Sequence, residues 1–401
     1  MFRKFIGIGK WSPLYIYILG ASIFKCLRDC LFNFNSINPE SKIGLFGFTP
    51  ILSNHTILTS IYMYISYILL GLLFYYISNK KLMRENNKKN SEKLSLLPKG
   101  LIHNKKNKIT IKRIFQILSI SFIIVFHSDI IKMLYLLGFS SFDIWTFDII
   151  FILFFMNRYF VINIYKHHKY SMLFIIIGST ILILISTFFP KDKGKKNSYQ
   201  IVEKITGSNF SFLLIFLIFI SISYITAFGR VLSKVLMDVK FISPYVIIIS
   251  TGIMGLFLNS IALIFTSIFK CSNNKFFNNN SCLVKSDSDY YYDNLLIYFS
   301  NLKTRLNGKE AENYEEKFNS ITEFYVEILA ITPIYLLFSY LEFSCEIFTI
   351  NYLSPNFLLI RDNLYYGLSR IVLIIYNSRN NNTILQFVLL ELAEIIAILG
   401  Y

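Results

Sequence analysis

The chain has 401 residues, of which 54% are hydrophobic and 16% charged, with 40 Lys and Arg against 24 Asp and Glu. Soluble domains are about 45–50% apolar, so this composition excludes an ordinary water-soluble enzyme and makes the lipid bilayer the expected partner. The net charge of +16 does not point to nucleic acid: ten Lys and Arg fall between Lys80 and Lys108, in an Asn-rich stretch with no room for a folded reading element.

Apolar blocks of roughly 20 residues or more predict about ten membrane spans. The first, Pro13–Phe34, carries Lys25, Arg28 and Asp29. Lys25 and Asp29, four apart, share a helix face and could neutralise each other. This span is longer than a secretory apolar region and lacks a small-residue cleavage site, so it is read as retained. The second, Thr56–Asn79, is uncharged and follows Asn54 and His55. Residues 79–110 then read as a disordered polybasic loop drawn to anionic headgroups.

The third span, Ile111–Gly138, contains His127, Asp129 and Lys132. His127 suits either a proton relay or an ordinary interhelical hydrogen bond. The fourth, Phe142–Ile162, carries Asp148 and Arg158, with Asp143 near its start as a helix cap. The fifth (Tyr170–Pro190), sixth (Ile205–Gly229) and seventh (Phe241–Phe269) are uncharged.

A long lumenal loop is expected over 270–320. Asn279 there heads a glycosylation sequon, and Cys271 and Cys282 could form a local disulfide in an oxidising compartment. The eighth span, Ile321–Ile350, has Glu323 and Glu327 at one end and Glu342 and Glu346 at the other, both pairs read as lying at wet helix ends. The ninth, Pro355–Tyr376, holds Arg361, Asp362 and Arg370, and the tenth, Thr383–Tyr401, holds Glu391 and Glu394, which could be contacts between the two halves or between protomers of a homodimer.

Positive charge sets orientation. If the loop after the second span is cytoplasmic, the basic N-terminus, the Lys166–Lys169 turn and the Lys234–Lys240 turn share that side, and ten spans leave both termini cytoplasmic. The lysines from Lys191 to Lys204 run against this rule, whereas all four Asn-x-Ser/Thr sequons fall on the opposite, lumenal side.

The two halves, 1–190 and 205–401, echo each other. Ser140 precedes Asp148 by eight residues with Arg158 beyond, and Ser354 precedes Asp362 by eight with Arg370 beyond. Five spans per half make the second half inverted relative to the first. The expected fold is therefore an all-α integral membrane protein of two inverted five-helix repeats, an architecture that places a substrate site near the midplane. Ionisable groups within spans cost about 2.5–3.5 kcal/mol on insertion scales and mark such sites, which singles out Lys25, His127, Asp148, Arg361 and Asp362. Lys25 and Arg361 suit an anionic group.

Three stretches carry a family resemblance. Arg230 to Tyr245, with Lys234, Lys240, Ser243 and Pro244, resembles the junction between the sixth and seventh helices of solute-carrier family 35-like proteins, within the drug/metabolite transporter superfamily. Phe151 to Lys169, with Arg158, Lys166, His167 and His168, is similar to that family's fourth helix and the basic turn after it, and Ser354 to Tyr366 to its ninth helix. The resemblance implies a nucleotide sugar or similar organic anion as substrate and a Golgi or ER membrane as location.

The function expected is secondary-active transport by alternating access, without enzymatic activity. No cofactor is expected, and the chain lacks the Gly-rich phosphate loop of an ATP-driven pump. The competing expectations are a membrane-embedded enzyme, such as an acyltransferase using His127, and a non-transporting receptor or scaffold.

Overall fold

The computed structural model describes residues 8–32, 51–88, 111–136, 148–160, 173, 177, 211–268, 284–286, 289–307, 320–353 and scattered positions between 355 and 369. The elements are α1 (Ile8–Phe32), α2 (Thr56–Lys88), α3 (Ile111–Leu136), α4 (Asp148–Phe160), α5 (Ser211–Asp238), α6 (Pro244–Ile268), β1 (Val284–Ser286), β2 (Asp289–Tyr291), α7 (Leu295–Leu306), α8 (Ser320–Val326) and α9 (Thr332–Tyr352). A single wide π-type turn, Glu327–Ile331, joins α8 to α9.

Among the described residues, five stretches are long and apolar enough to cross a membrane: Thr56–Lys80, Arg113–Ile130, Ile220–Asp238, Pro244–Ile268 and Ile321–Tyr352. They correspond to the second, third, sixth, seventh and eighth expected spans and are consistent with an integral multi-pass membrane protein. The ten-span count is not reached among the described residues. The expected tenth span and most of the fifth and ninth lie outside them, as do Asn279, Cys271 and Cys282.

Several boundaries differ from expectation. α2 runs on to Lys88, because Lys80, Lys81, Leu82, Met83, Arg84 and Glu85 are good helix formers with no Gly or Pro among them; the start of the basic segment is helix, not disordered loop. α5 passes Gly229 and continues to Asp238, its extension supported by an ion pair between Lys234 and Asp238 at 3.0 Å. Within 270–320 the chain folds a hairpin, pairing Val284 with Tyr291 and Ser286 with Asp289, and then α7. The π-type turn has a local cause: Pro333 lacks the amide that a regular helix would need, and the Thr332 amide instead bonds the Glu327 carbonyl five residues back.

The chain forms two compact units, each drawing on both sides of the boundary expected near residues 190–205. One comprises Met1–Phe122, Ser233–Asn274 and Cys282–Leu353; the other comprises Ile123–Leu232, Lys275–Ser281 and Ser354–Tyr401.

In the first unit, α2 and α6 run antiparallel at close range. Gly71 faces Ile249, Gly252 faces Ile68 and Tyr67, and Gly255 lies against the Tyr64 ring. A Cβ on Gly252 would sit 2.9 Å from the Tyr64 carbonyl oxygen, a backbone atom that cannot step aside. Small residues at such a contact let two backbones approach where lipid supplies no hydrophobic drive between helices. α9 lies antiparallel to α1, with Tyr17 stacked on Phe348 and Tyr352 and Phe24 against Phe338. It also meets α2, through Tyr67 on Phe343 at 4.5 Å and Phe74 on Tyr340 at 5.4 Å.

In the second unit, α4 and α5 meet through Phe151, Phe155, Tyr224 and Phe228. α3 approaches α5 at Gly229, where a Cβ would lie 3.1 Å from Ile123.

The α2/α6 contact makes a direct prediction. Gly255→Ala forces the new methyl into the buried Tyr64 ring and is expected to destabilise the protein by about 1–3 kcal/mol, the usual cost of overpacking. Thermal unfolding in detergent followed by size-exclusion recovery measures it; an unchanged midpoint would show that the two helices are not held this closely.

Candidate functional site

Charged side chains in the described helices gather in three places. The first joins α1 to α9. Arg28 forms an ion pair with Glu342 and another with the neighbouring Asp29, at 3.0 Å. Glu342 and Asp29 are buried, so the reading of Glu342 as a wet helix end is corrected: it faces α1, where a guanidinium four helix positions from Phe24 reaches it. Asp29 pairs with Arg28, the residue beside it, while Lys25 is half-buried on the same helix. Cys26 and Cys30 are buried on the same helix.

The second lies at one end of the first unit, where α2 begins, α6 ends and α8 begins. Residues 51–54 form a tight turn, and His55 precedes the first residue of α2. Histidine is a poor cap, and the orphan amides of this helix start are met from far away in sequence. Asp293 Oδ2 accepts from the amides of Ile57 at 2.8 Å and Leu58 at 3.0 Å, and its Oδ1 lies 2.7 Å from His55 Nδ1. Asp293 and His55 are almost wholly buried. Asn294 caps α7 and donates to the Ser267 carbonyl at the end of α6 at 3.3 Å.

Alongside, Glu327 accepts from the Leu52 amide at 3.1 Å and from Arg305 Nη1 at 2.9 Å, with Glu323 3.7 Å from the same guanidinium. Glu327 is therefore interior, against the wet-end expectation, because the π-type turn begins at it and Arg305 of α7 comes to meet it. Tyr298 packs edge-on against His55, and burial together with a hydrogen bond to Tyr62 pushes its hydroxyl above the usual tyrosine range.

The third cluster is in the second unit and contains three of the five residues singled out from the sequence. Arg361 forms an ion pair with its neighbour Asp362, and Arg230 of α5 reaches the other oxygen of the same carboxylate at 3.5 Å. Arg361 and Asp362 are about 5% exposed, deep enough for their charges to matter. His127 of α3 lies within electrostatic reach of Arg230, Asp362 and Arg361. Its Nε2 is buried and makes no hydrogen bond, so the ordinary interhelical hydrogen bond is not made by that atom.

The local cause of this convergence is Gly229. It lets α5 close on Ile123, which puts the next turn of α3, bearing His127, beside the helix that carries Arg230. Chemically, two guanidiniums focused on one carboxylate form a site for an anion that can compete with that carboxylate, with an imidazole nitrogen left to donate or accept.

Of the remaining sequence candidates, Lys25 belongs to the first unit and Asp148 is the first residue of α4. Arg158 is exposed near the end of α4, as a snorkelling residue would be. Arg370, Asp143, Glu391 and Glu394 lie outside the described residues. Sequence reasoning did not select Arg230, Arg28, His55 or Asp293. Arg230 was legible as an arginine directly after an apolar block; Asp293 carried no local signal, since the first amide it caps, that of Ile57, lies 236 residues earlier.

No protein-family model matches the chain, and no curated protein matches it.

Replacing Asp293 with Ala removes the acceptor for two helix amides and for His55 at once. The expected cost is about 3 kcal/mol or more, given about 1–3 kcal/mol for each buried polar group left unsatisfied. Hydrogen exchange at Ile57 and Leu58 should accelerate well ahead of exchange in the middle of α2. Equal protection in variant and parent would show that the cap does not hold this helix end.

Proposed function

We propose that the protein is a secondary-active transporter of a small organic anion, with Arg230, Arg361, Asp362 and His127 forming the substrate site. The observation that carries this reading is the convergence of one buried guanidinium, Arg361, and one partly buried guanidinium, Arg230, on one carboxylate beside an imidazole with an unused nitrogen. Burying such groups is costly and structural packing alone does not require it, so within membrane helices they mark a pathway.

In the resting arrangement Asp362 offsets one of the two arginine charges. An incoming phosphate or carboxylate would take its place, gaining bidentate hydrogen bonds from planar donors in fixed orientation. His127 Nε2 would supply a third contact. Exchange of one anion for another keeps the surplus positive charge of the pair covered in both directions, which favours an antiporter over net uptake. Resemblance to solute-carrier family 35-like proteins narrows the first substrates to try to nucleotide sugars, and the two-repeat, ten-span architecture of that superfamily is the fold this reading entails.

The test is exchange in proteoliposomes preloaded with a nucleoside monophosphate and offered labelled nucleotide sugars. The parent protein should exchange above empty liposomes, and Arg361→Ala or Arg230→Ala should reduce the rate at least about tenfold, the loss matching roughly 1.4 kcal/mol of binding. Arg361→Lys, which keeps charge but not the planar fork, should fall between. Exchange left intact by both alanine variants would remove the site from this cluster; absence of exchange by monodisperse parent protein would remove the nucleotide-sugar assignment.

A further inference from the structure

α7 is a short helix outside the stretches long and apolar enough to cross a membrane, and its sides are strongly unlike each other. Tyr298 is buried and Arg305 is turned inward to Glu327 and Glu323. On the opposite side Leu296, Phe299 and Leu306 are 78%, 56% and 45% exposed, with exposed Lys303 among them. At 100° per residue these four positions fall within one stripe of the helix. A water-facing helix of a folded loop would present polar residues there.

The position of the helix is fixed at both ends. Asp293 and Asn294, just before it, bind the start of α2 and the end of α6. Arg305, near its end, binds the start of the Ile321–Tyr352 span. α7 is thus tied to the termini of three membrane-crossing helices at one end of the unit. The neighbouring turns of that last span expose Ile321, Tyr325, Ile328 and Leu329, the last at 71%. Both α7 and the first turns of that span thus leave large apolar side chains uncovered.

We infer that α7 lies in the membrane–water interface, with Leu296, Phe299 and Leu306 immersed among the lipid acyl chains and Lys303 extended to the headgroups. Amphipathic helices of this kind sit about 5–10 Å deep at the boundary between headgroup and acyl chain, and a lysine stem covers apolar surface while its ammonium reaches phosphate. The inference rests on the membrane character of the chain and not on transport, so it stands or falls separately from the proposed substrate site.

The experiment places tryptophan at Phe299 in a background carrying Trp11→Phe and Trp145→Phe, reconstituted into phosphatidylcholine vesicles. Phe299→Trp should emit at short wavelength and lose most of its intensity when the lipid carries bromine near the headgroup end of the acyl chain, while acrylamide in the water quenches little. Leu329→Trp in the same background supplies the lipid-facing benchmark. Quenching by acrylamide and not by brominated lipid would overturn the inference in favour of a water-exposed face. Quenching by neither would show a protein cover, such as a second copy of the chain. Independently of any substitution, a photoactivatable lipid should label the peptide spanning residues 295–306 in the unmodified protein, and absence of label there, with label on residues 321–329, would also overturn it.

Discussion

A charged side chain in a dry helical interior has to find its partner within the protein, and much of this structure is arranged around that requirement. Desolvating an ion costs several kcal/mol, and only a close opposite charge with further hydrogen bonds offsets it. Arg28 answers it with Asp29 and Glu342, Glu327 with Arg305 and the Leu52 amide, and Arg361 and Arg230 with Asp362. Each set links segments far apart in sequence, so these pairs fix which helices are neighbours. Apolar packing alone, along helices that are hydrophobic on most sides, would leave rotation and register poorly determined.

Packing supplies what the charges leave open. The glycines at 71, 252 and 255 bring α2 and α6 close enough that Tyr64 is enclosed, and α9 then closes over α1 and α2 with Tyr67 on Phe343 and Phe74 on Tyr340. Because α2 and α6 are antiparallel, the start of one and the end of the other meet at the same end of the unit. That is where Asp293 and Asn294 can hold both at once. The cap at the span ends is thus a consequence of the glycine contact.

How much of this was legible in the sequence depends on whether the decisive signal was local. The uncharged runs from Thr56 and from Phe241 predict α2 and α6, since length and composition are enough. Helix ends were less legible where they depend on distant partners. Nothing near His55 reveals that an aspartate 238 residues later finishes its helix. The loop over 270–320 hid α7 because its alternation of apolar and polar residues is short, and its inner side makes sense only once Glu327 is known to face it. Glu327 and Glu342 were visible as acidic residues in an apolar run, but spacing four apart suggested pairing with Glu323 and Glu346, whereas each instead meets an arginine on another helix. His127, Arg361 and Asp362 were legible one by one as charges inside spans, while the arginine that joins them, Arg230, lay past a glycine where the helix was expected to stop.

The polar clusters differ in one respect that bears on function. At the span ends the acceptors are used: both oxygens of Asp293 and both of Glu327 have donors, and removing any donor would leave a buried charge exposed to loss of folding energy. Such saturation is what structural networks show. In the second unit, His127 keeps a buried ring nitrogen with no hydrogen bond a short way from two guanidiniums. Buried polar atoms are nearly always satisfied, and one that is not carries a cost that folding does not repay. That imbalance, more than the presence of charge, separates the cluster around Asp362 from those that hold the helices together.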